Sequence, residues 1–364
     1  MDDDAPSSDA TARARTPSPT PPFVWTAASL AIVAGFGLGG ALFGALFGPR
    51  AGLWWPAAAQ AHGHVQVFGW AGLMVLGVGL HFLPRLRGAA LAAPALAPWV
   101  LALYGGGVYL RVVAQPLAAA RPALAGLLPL AALLELAGAT IAVGMLVATS
   151  RGAVPLRERA GMLPLLPFVA VAFGSLWLGL LLNLLGWALA ADSGLPLLTA
   201  PWELLVVHLG LVGFLTPVSL AVAVRTFPLY LRVQVPTQWA LWLVLAVLVA
   251  GLVLRVLDAL GAPPPLDALG RLLEGGALLA ATWVVDAPLL RTRAAVLARA
   301  QAHQRELGRC RGPGRRSRPI SWPPSGCSAR PTPGWPWPAR SCCSAGRWRS
   351  AAARCCPPTS SATR

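Results

Sequence analysis

Apolar residues in this chain come in long unbroken runs, neither the alternation of a strand nor the stripe of a surface helix, and prolines and arginines gather between the runs. Eight runs are readable, over residues 22–48, 62–83, 95–114, 123–148, 163–191, 202–224, 237–260 and 266–290. Each approaches or exceeds the roughly 20 residues that a helix needs to cross hydrocarbon. The pattern predicts an all-α fold: a polytopic integral membrane helix bundle of about eight transmembrane helices, with the lipid bilayer as its first partner. The membrane domain covers residues 22–300, preceded by a polar N-terminal tail over 1–21 that reads as disordered and cytoplasmic. That tail has no basic n-region, so it does not read as a signal peptide.

Polar positions then suggest a repeat. From His64, Gly69 follows after five residues, His81 after seventeen and Pro84 after twenty; from His208, Gly213, Arg225 and Pro228 fall at the same offsets. Leu133-Leu134-Glu135 in the fourth run is echoed by Leu272-Leu273-Glu274 in the eighth. A four-helix unit used twice in parallel, over 22–150 and 160–300, accounts for both.

Charge sharpens the topology. The net charge is +16, yet eleven arginines lie between Arg309 and Arg364, a stretch without Asp or Glu. The membrane region is therefore only mildly basic, and nucleic acid is not an expected partner. Basic residues cluster after the even-numbered runs, at Arg85 and Arg87, Arg151 to Arg159, Arg225 and Arg232, and Arg291 to Arg299. The positive-inside rule makes those loops, and the N-terminus, cytoplasmic. All six cysteines fall in residues 301–364, where Arg, Pro, Ser, Cys and Trp crowd together without periodicity. This segment reads as a disordered basic tail or as the product of a frameshift near residue 309.

Candidate chemistry concentrates in few residues. Only five histidines are present, and His62-Gly63-His64 opens the second run. His64 and His208 lie at equal distances from Pro84 and Pro228, about 30 Å along the helix at 1.5 Å per residue. Two imidazoles at equal depth suit a heme iron or a copper ion, with His62 as a third candidate ligand. His62 is turned about 200° from His64 on a helix, so the two rings point to different faces. His81 is about 25 Å further on and belongs to the other leaflet. Glu135 and Glu274 are carboxylates inside membrane segments, where charge is costly and function is common; they could line a proton path or pair with an arginine such as Arg271. Asn183 and Thr216 read as polar contacts between helices. No Walker loop, nucleophile elbow, heme-attaching Cys-x-x-Cys-His or Rossmann fingerprint occurs in the membrane core.

At His62-x-His64, with Phe68-Gly69-Trp70 and then Pro84, the segment resembles the NnrS family of heme- and copper-containing membrane proteins of nitric oxide metabolism. His208, Gly213 and Arg225 are similar to a later helix of that family. The resemblance covers most of residues 25–300. It implies a bacterial inner-membrane protein with heme and copper on His64, His208 and His62, nitric oxide or another diatomic as ligand, and an unidentified electron donor. Val65 stands where many members carry glutamate, and Arg85-Leu86-Arg87-Gly88 replaces their usual Asn-Trp-Thr-Gly, which implies a divergent member with a reduced metal set. The run from His64 to Trp70 is also similar to the second helix of heme-copper oxidase and nitric oxide reductase catalytic subunits. A fragment or relative of such a subunit, and a metal-free proton-coupled transporter, are the alternatives.

Overall fold

The computed structural model describes residues 19–48, 52–153, 155, 163–231, 236–261 and 265–310. Among them there is no strand. Eight helices are long and apolar enough to cross a membrane: α1 (Thr20–Ala45), α2 (Trp54–Arg87), α3 (Pro94–Ala118), α4 (Pro122–Arg151), α5 (Leu166–Ser193), α6 (Ala200–Leu231), α7 (Gln238–Ala259) and α8 (Pro265–Arg305). The chain is an all-α polytopic integral membrane protein. Helices are the natural outcome for such runs, because hydrocarbon offers no partner to an unpaired backbone N–H or C=O. Most of the N-terminal tail and everything beyond residue 310 lie outside the described residues. Residues 301–310, read as part of the tail, are helical, since the last helix continues to Cys310.

One boundary difference matters for the site. The second helix starts at Trp54 and not near residue 62, which puts His64 ten residues, or about 15 Å, inside it. Ala57, Ala58 and Ala61 are fully buried, so the alanine-rich stretch before the histidines is helix interior. Pro56 is tolerated because the first turn has no intrahelical partner for its missing N–H.

Along the second and sixth helices the backbone matches at a fixed spacing, whereas the π-helical segments Leu30–Phe36 of α1 and Leu101–Gly105 of α3 have no counterpart in α5 and α7. A shift of 144 residues carries His64 to His208, and the π-helical segment Val65–Ala71 to its counterpart Leu209–Leu215. Both seven-residue segments begin immediately after the histidine. The α-helices that follow, Gly72–Arg87 and Thr216–Leu231, are equal in length and hold Pro84 and Pro228 at matching positions. Extra residues of this kind swell a helix locally and re-aim its side chains, and they recur at functional sites.

Close helix crossings repeat as well. A Cβ added to Gly107 in α3 would lie 2.6 Å from the Ala131 carbonyl and 2.7 Å from Glu135 Cγ in α4. One added to Gly251 in α7 would lie 2.9 Å from the Gly270 carbonyl and 2.7 Å from Glu274 Cγ in α8. Gly107 and Gly251 are again 144 residues apart. Each lets two backbones approach until a glutamate is pressed against the neighbouring helix, the small-residue packing that lipid-embedded helices use. The repeats meet where α2 crosses α6, with Val67 and Phe68 filling the space above Gly210.

Candidate functional site

Each histidine singled out by the repeat is bonded to the glutamate singled out by the echo. His64 Nε2 lies 2.7 Å from Glu135 Oε2, and His208 Nε2 lies 2.9 Å from both oxygens of Glu274. Within each repeat the second helix supplies the imidazole and the fourth the carboxylate, while a glycine on the third lets that helix pack tightly against the fourth at the glutamate. Neither Glu135 nor Glu274 pairs with Arg271, which instead binds Asp267 one turn away.

The first pair sits in a dense polar cluster centred on Arg111. This side chain is fully buried, and all three nitrogens of its guanidinium are bonded. Nη1 donates to His64 Nδ1 and to Asn183 Oδ1, both at 2.8 Å; Nε donates to Gln115 Oε1 at 3.0 Å; Nη2 reaches Glu203 Oε2 at 3.4 Å. The Trp187 ring lies 5.4 Å from its central carbon, within the range of a cation–π contact. An arginine only donates, so Nδ1 of His64 accepts. Nε2 therefore carries the imidazole proton and donates to Glu135. Phe68 stacks on the His64 ring with centroids 4.8 Å apart. The second oxygen of Glu135, Oε1, is buried with no hydrogen-bond partner among the described residues.

From Arg111 the cluster runs to the loop before α6. Gln115 Nε2 donates to Gln60 Oε1 at 3.0 Å and to the Pro196 carbonyl at 3.1 Å. Gln60 in turn holds both the N–H and the carbonyl of Leu198, at 3.0 and 2.8 Å. A continuous hydrogen-bonded path thus joins this loop to the buried Glu135.

The second pair has no such surroundings. Arg255 stands 144 residues after Arg111 but binds Asp267. The same shift explains why. Asn183 and Glu203, which hold Arg111 from the other repeat, correspond to Gly39 and Ala59, neither of which has a side-chain acceptor. Nδ1 of His208 consequently has no hydrogen-bond partner among the described residues. Its side chain is 21% exposed, against 1% for His64.

His62 faces away from both pairs. Its ring packs on α1, where a Cβ added to Gly39 would come within 2.9 Å of Cε1, and its Nδ1 is buried without a partner among the described residues. His81 is half-buried and meets the Phe82 ring edge-on, and His303 is exposed. Among the described residues, no three of His, Cys, Asp and Glu converge as a metal group would need. Heme on His64 does not fit this packing: Glu135 and Arg111 occupy both ring nitrogens and Phe68 covers one face. His208 fits a ligand's role better. A metal-binding histidine characteristically donates its other N–H to a carboxylate, and here Glu274 accepts the hydrogen bond from Nε2–H while Nδ1 has no hydrogen-bond partner among the described residues.

Sequence reading found the histidines and glutamates but missed Arg111, Gln115, Gln60 and Glu203. An arginine mid-way along an apolar run, repeated as Arg255 at the histidine spacing, was the available signal. No family model matches the chain, and neither the curated proteins nor the solved structures include a match to it.

Proposed function

We propose that this chain is an NnrS-like integral membrane protein of nitric oxide response or metabolism, with the two histidine–glutamate pairs as its functional centres. The observation that carries the reading is the doubling: His64 and Gly69 of the motif recur as His208 and Gly213, and each principal histidine is fixed by a buried carboxylate. On this reading the N-terminus faces the cytoplasm of a bacterial inner membrane. His208 is the residue to hold copper, and Glu274 orients its ring and keeps the proton on Nε2. A metal held there would supply a site for a diatomic ligand or for one-electron exchange. His64 serves a different end, linking α2 to α4 and, through Arg111, to the second repeat.

The test is an absorption spectrum and a metal analysis of the detergent-purified full-length protein and of two variants. Near-stoichiometric metal that is lost in His208→Ala but retained in His64→Gln is the expected result. A Soret band abolished by His64→Gln would reverse the assignment of the two histidines and support the low-spin heme of an oxidase-like subunit.

A second reading is favoured by one observation, the path Glu135–His64–Arg111–Gln115–Gln60 leading to the loop at Leu198. Buried carboxylates and histidines mark proton relays in transporters, and Glu135 and His64 are the members of this path that can exchange a proton. A colourless, metal-free protein that acidifies or alkalinises proteoliposomes, and loses that activity in Glu135→Gln, would establish the transporter instead.

A further inference from the structure

Between α5 and α7, floored by α6, runs an apolar crevice of about 310 Å³, whose walls include Val171, Gly174, Leu178, Leu252 and Val253 and whose floor is Leu209. The repeat shows how it arises. Shifting back by 144 residues maps Leu209 and Leu252 onto Val65 and Val108, and all four are buried, so the floor is common to both repeats. Gly174, however, maps onto Leu30, and Val253 onto Tyr109. In the first repeat Leu30 is fully buried in the core, and the Tyr109 hydroxyl bridges α3 to Ser29 of α1. In the second repeat a Cβ at Gly174 would meet nothing within 4 Å, and Val253 is half exposed. The crevice opens where these two positions carry less side chain than their counterparts, although Val171, Leu178 and Val249 on its wall are larger than Ala27, Ala34 and Gly105.

Its occupant follows from where it lies. A cavity of this size could hold on the order of ten waters at ~30 Å³ each, but a buried water needs two to four polar partners, and Ser175 is the one polar side chain on the wall. Left empty, the lining would forfeit its dispersion contacts. A second apolar hollow of about 570 Å³, lined by Pro167, Trp242 and Ala246, shares Val171 and Val249 with the first. Together they follow α5 from Pro167 to Leu178, about 16 Å at 1.5 Å per residue. That is close to half of the ~30 Å hydrocarbon core, the depth of one leaflet. We propose that the α5–α7 crevice is a binding site for one acyl chain of a membrane lipid, which seats against Leu209 and so buttresses the helical turn that carries His208. The proposal rests on the membrane-spanning fold and on the repeat comparison, not on the metal or the proton reading.

The experiment uses the full-length protein in vesicles of phosphatidylcholine bearing a diazirine part-way along one acyl chain. After irradiation, lipid adducts are mapped on peptides. Adducts concentrated on residues 171–178 and 249–257 are expected, well above the equivalent faces of α1 and α3, and falling by at least about tenfold, the effect of ~1.4 kcal/mol, in a Gly174→Leu/Val253→Tyr variant. Both replacements already pack at these places in the first repeat. Should that variant not fold, Gly174→Ala, which has open space for its methyl, is expected to lower the labelling partially at unchanged thermal stability. Labelling spread evenly over both repeats, labelling insensitive to filling, or crosslinks to a second copy of the chain in place of lipid would each overturn the proposal.

Discussion

The two halves of this protein share a scaffold and differ in what surrounds the histidine. In the first, Arg111 reaches out of its own repeat to Asn183 and Glu203 of the other, which locks His64 from both sides. In the second, Arg255 finds Gly39 and Ala59 at the corresponding positions and turns to Asp267. Three acceptors of Arg111, namely Gln115, Asn183 and Glu203, have Ala259, Gly39 and Ala59 as their counterparts, and His208 has no arginine on its second ring nitrogen among the described residues. Duplicated membrane domains can thus divide their labour without changing the residues that define the repeat: the histidine, the glutamate and the crossing glycine stay, while the partners across the repeat boundary decide whether the pair is sealed or open.

The largest expected effect breaks that contrast directly. Arg111→Met leaves His64 Nδ1, Asn183 and Glu203 without their donor inside the protein, and removing one member of a buried charged network costs about 3–5 kcal/mol. Arg255→Met removes a partly exposed ion pair, for which about 1 kcal/mol or less is expected. Thermal unfolding of both variants in the same detergent should show a large fall in Tm for the first and a small one for the second. Equal falls would mean that the arginines are equivalent and that the asymmetry has no energetic weight.

A symmetric change should act symmetrically. Gly107→Ala and Gly251→Ala each push a methyl against a backbone carbonyl and a glutamate Cγ, contacts that backbone cannot relieve without moving a helix. Overpacking of this kind costs about 1–3 kcal/mol. Both variants should be destabilised to a similar degree, read by the same melts, whereas a difference between them would show that one crossing is looser than the other.

The fold was legible because hydropathy reports directly on the cost of exposing polar backbone to lipid. The repeat was legible too, since His64 and His208 keep their distances to Gly69 and Gly213 and to Pro84 and Pro228. The pairing of His64 with Glu135 was not. It depends on which helices lie side by side, and in a membrane the driving force for that choice does not appear as an apolar stripe, because lipid and partner helix are equally apolar. The same reason hid Arg111. Its partners Asn183 and Glu203 are 72 and 92 residues away in sequence, and one arginine in an apolar run does not announce which helix will neutralise it. Trp54 as the start of α2 was obscured differently: Ala57, Ala58 and Ala61 are too small to register as a strongly apolar run, although the helix buries all three.

The smallest effect tests the third histidine. His62 shares a helix and a motif with His64 yet packs on α1 beside Gly39, with its Nδ1 buried and unpartnered among the described residues. Replacing it by phenylalanine keeps a planar ring against Gly39 and removes a buried polar atom, whose uncompensated burial costs about 1–3 kcal/mol, while the larger ring costs something against α1. These terms oppose each other, so His62→Phe should shift Tm by no more than a few degrees in either direction and, if His208 is the metal ligand as proposed, leave the metal content unchanged. A marked loss of metal in this variant would bring His62 into the ligand set and make α1 part of the centre. Unchanged metal would leave the functional contrast where the geometry puts it, between a sealed His64 and an open His208.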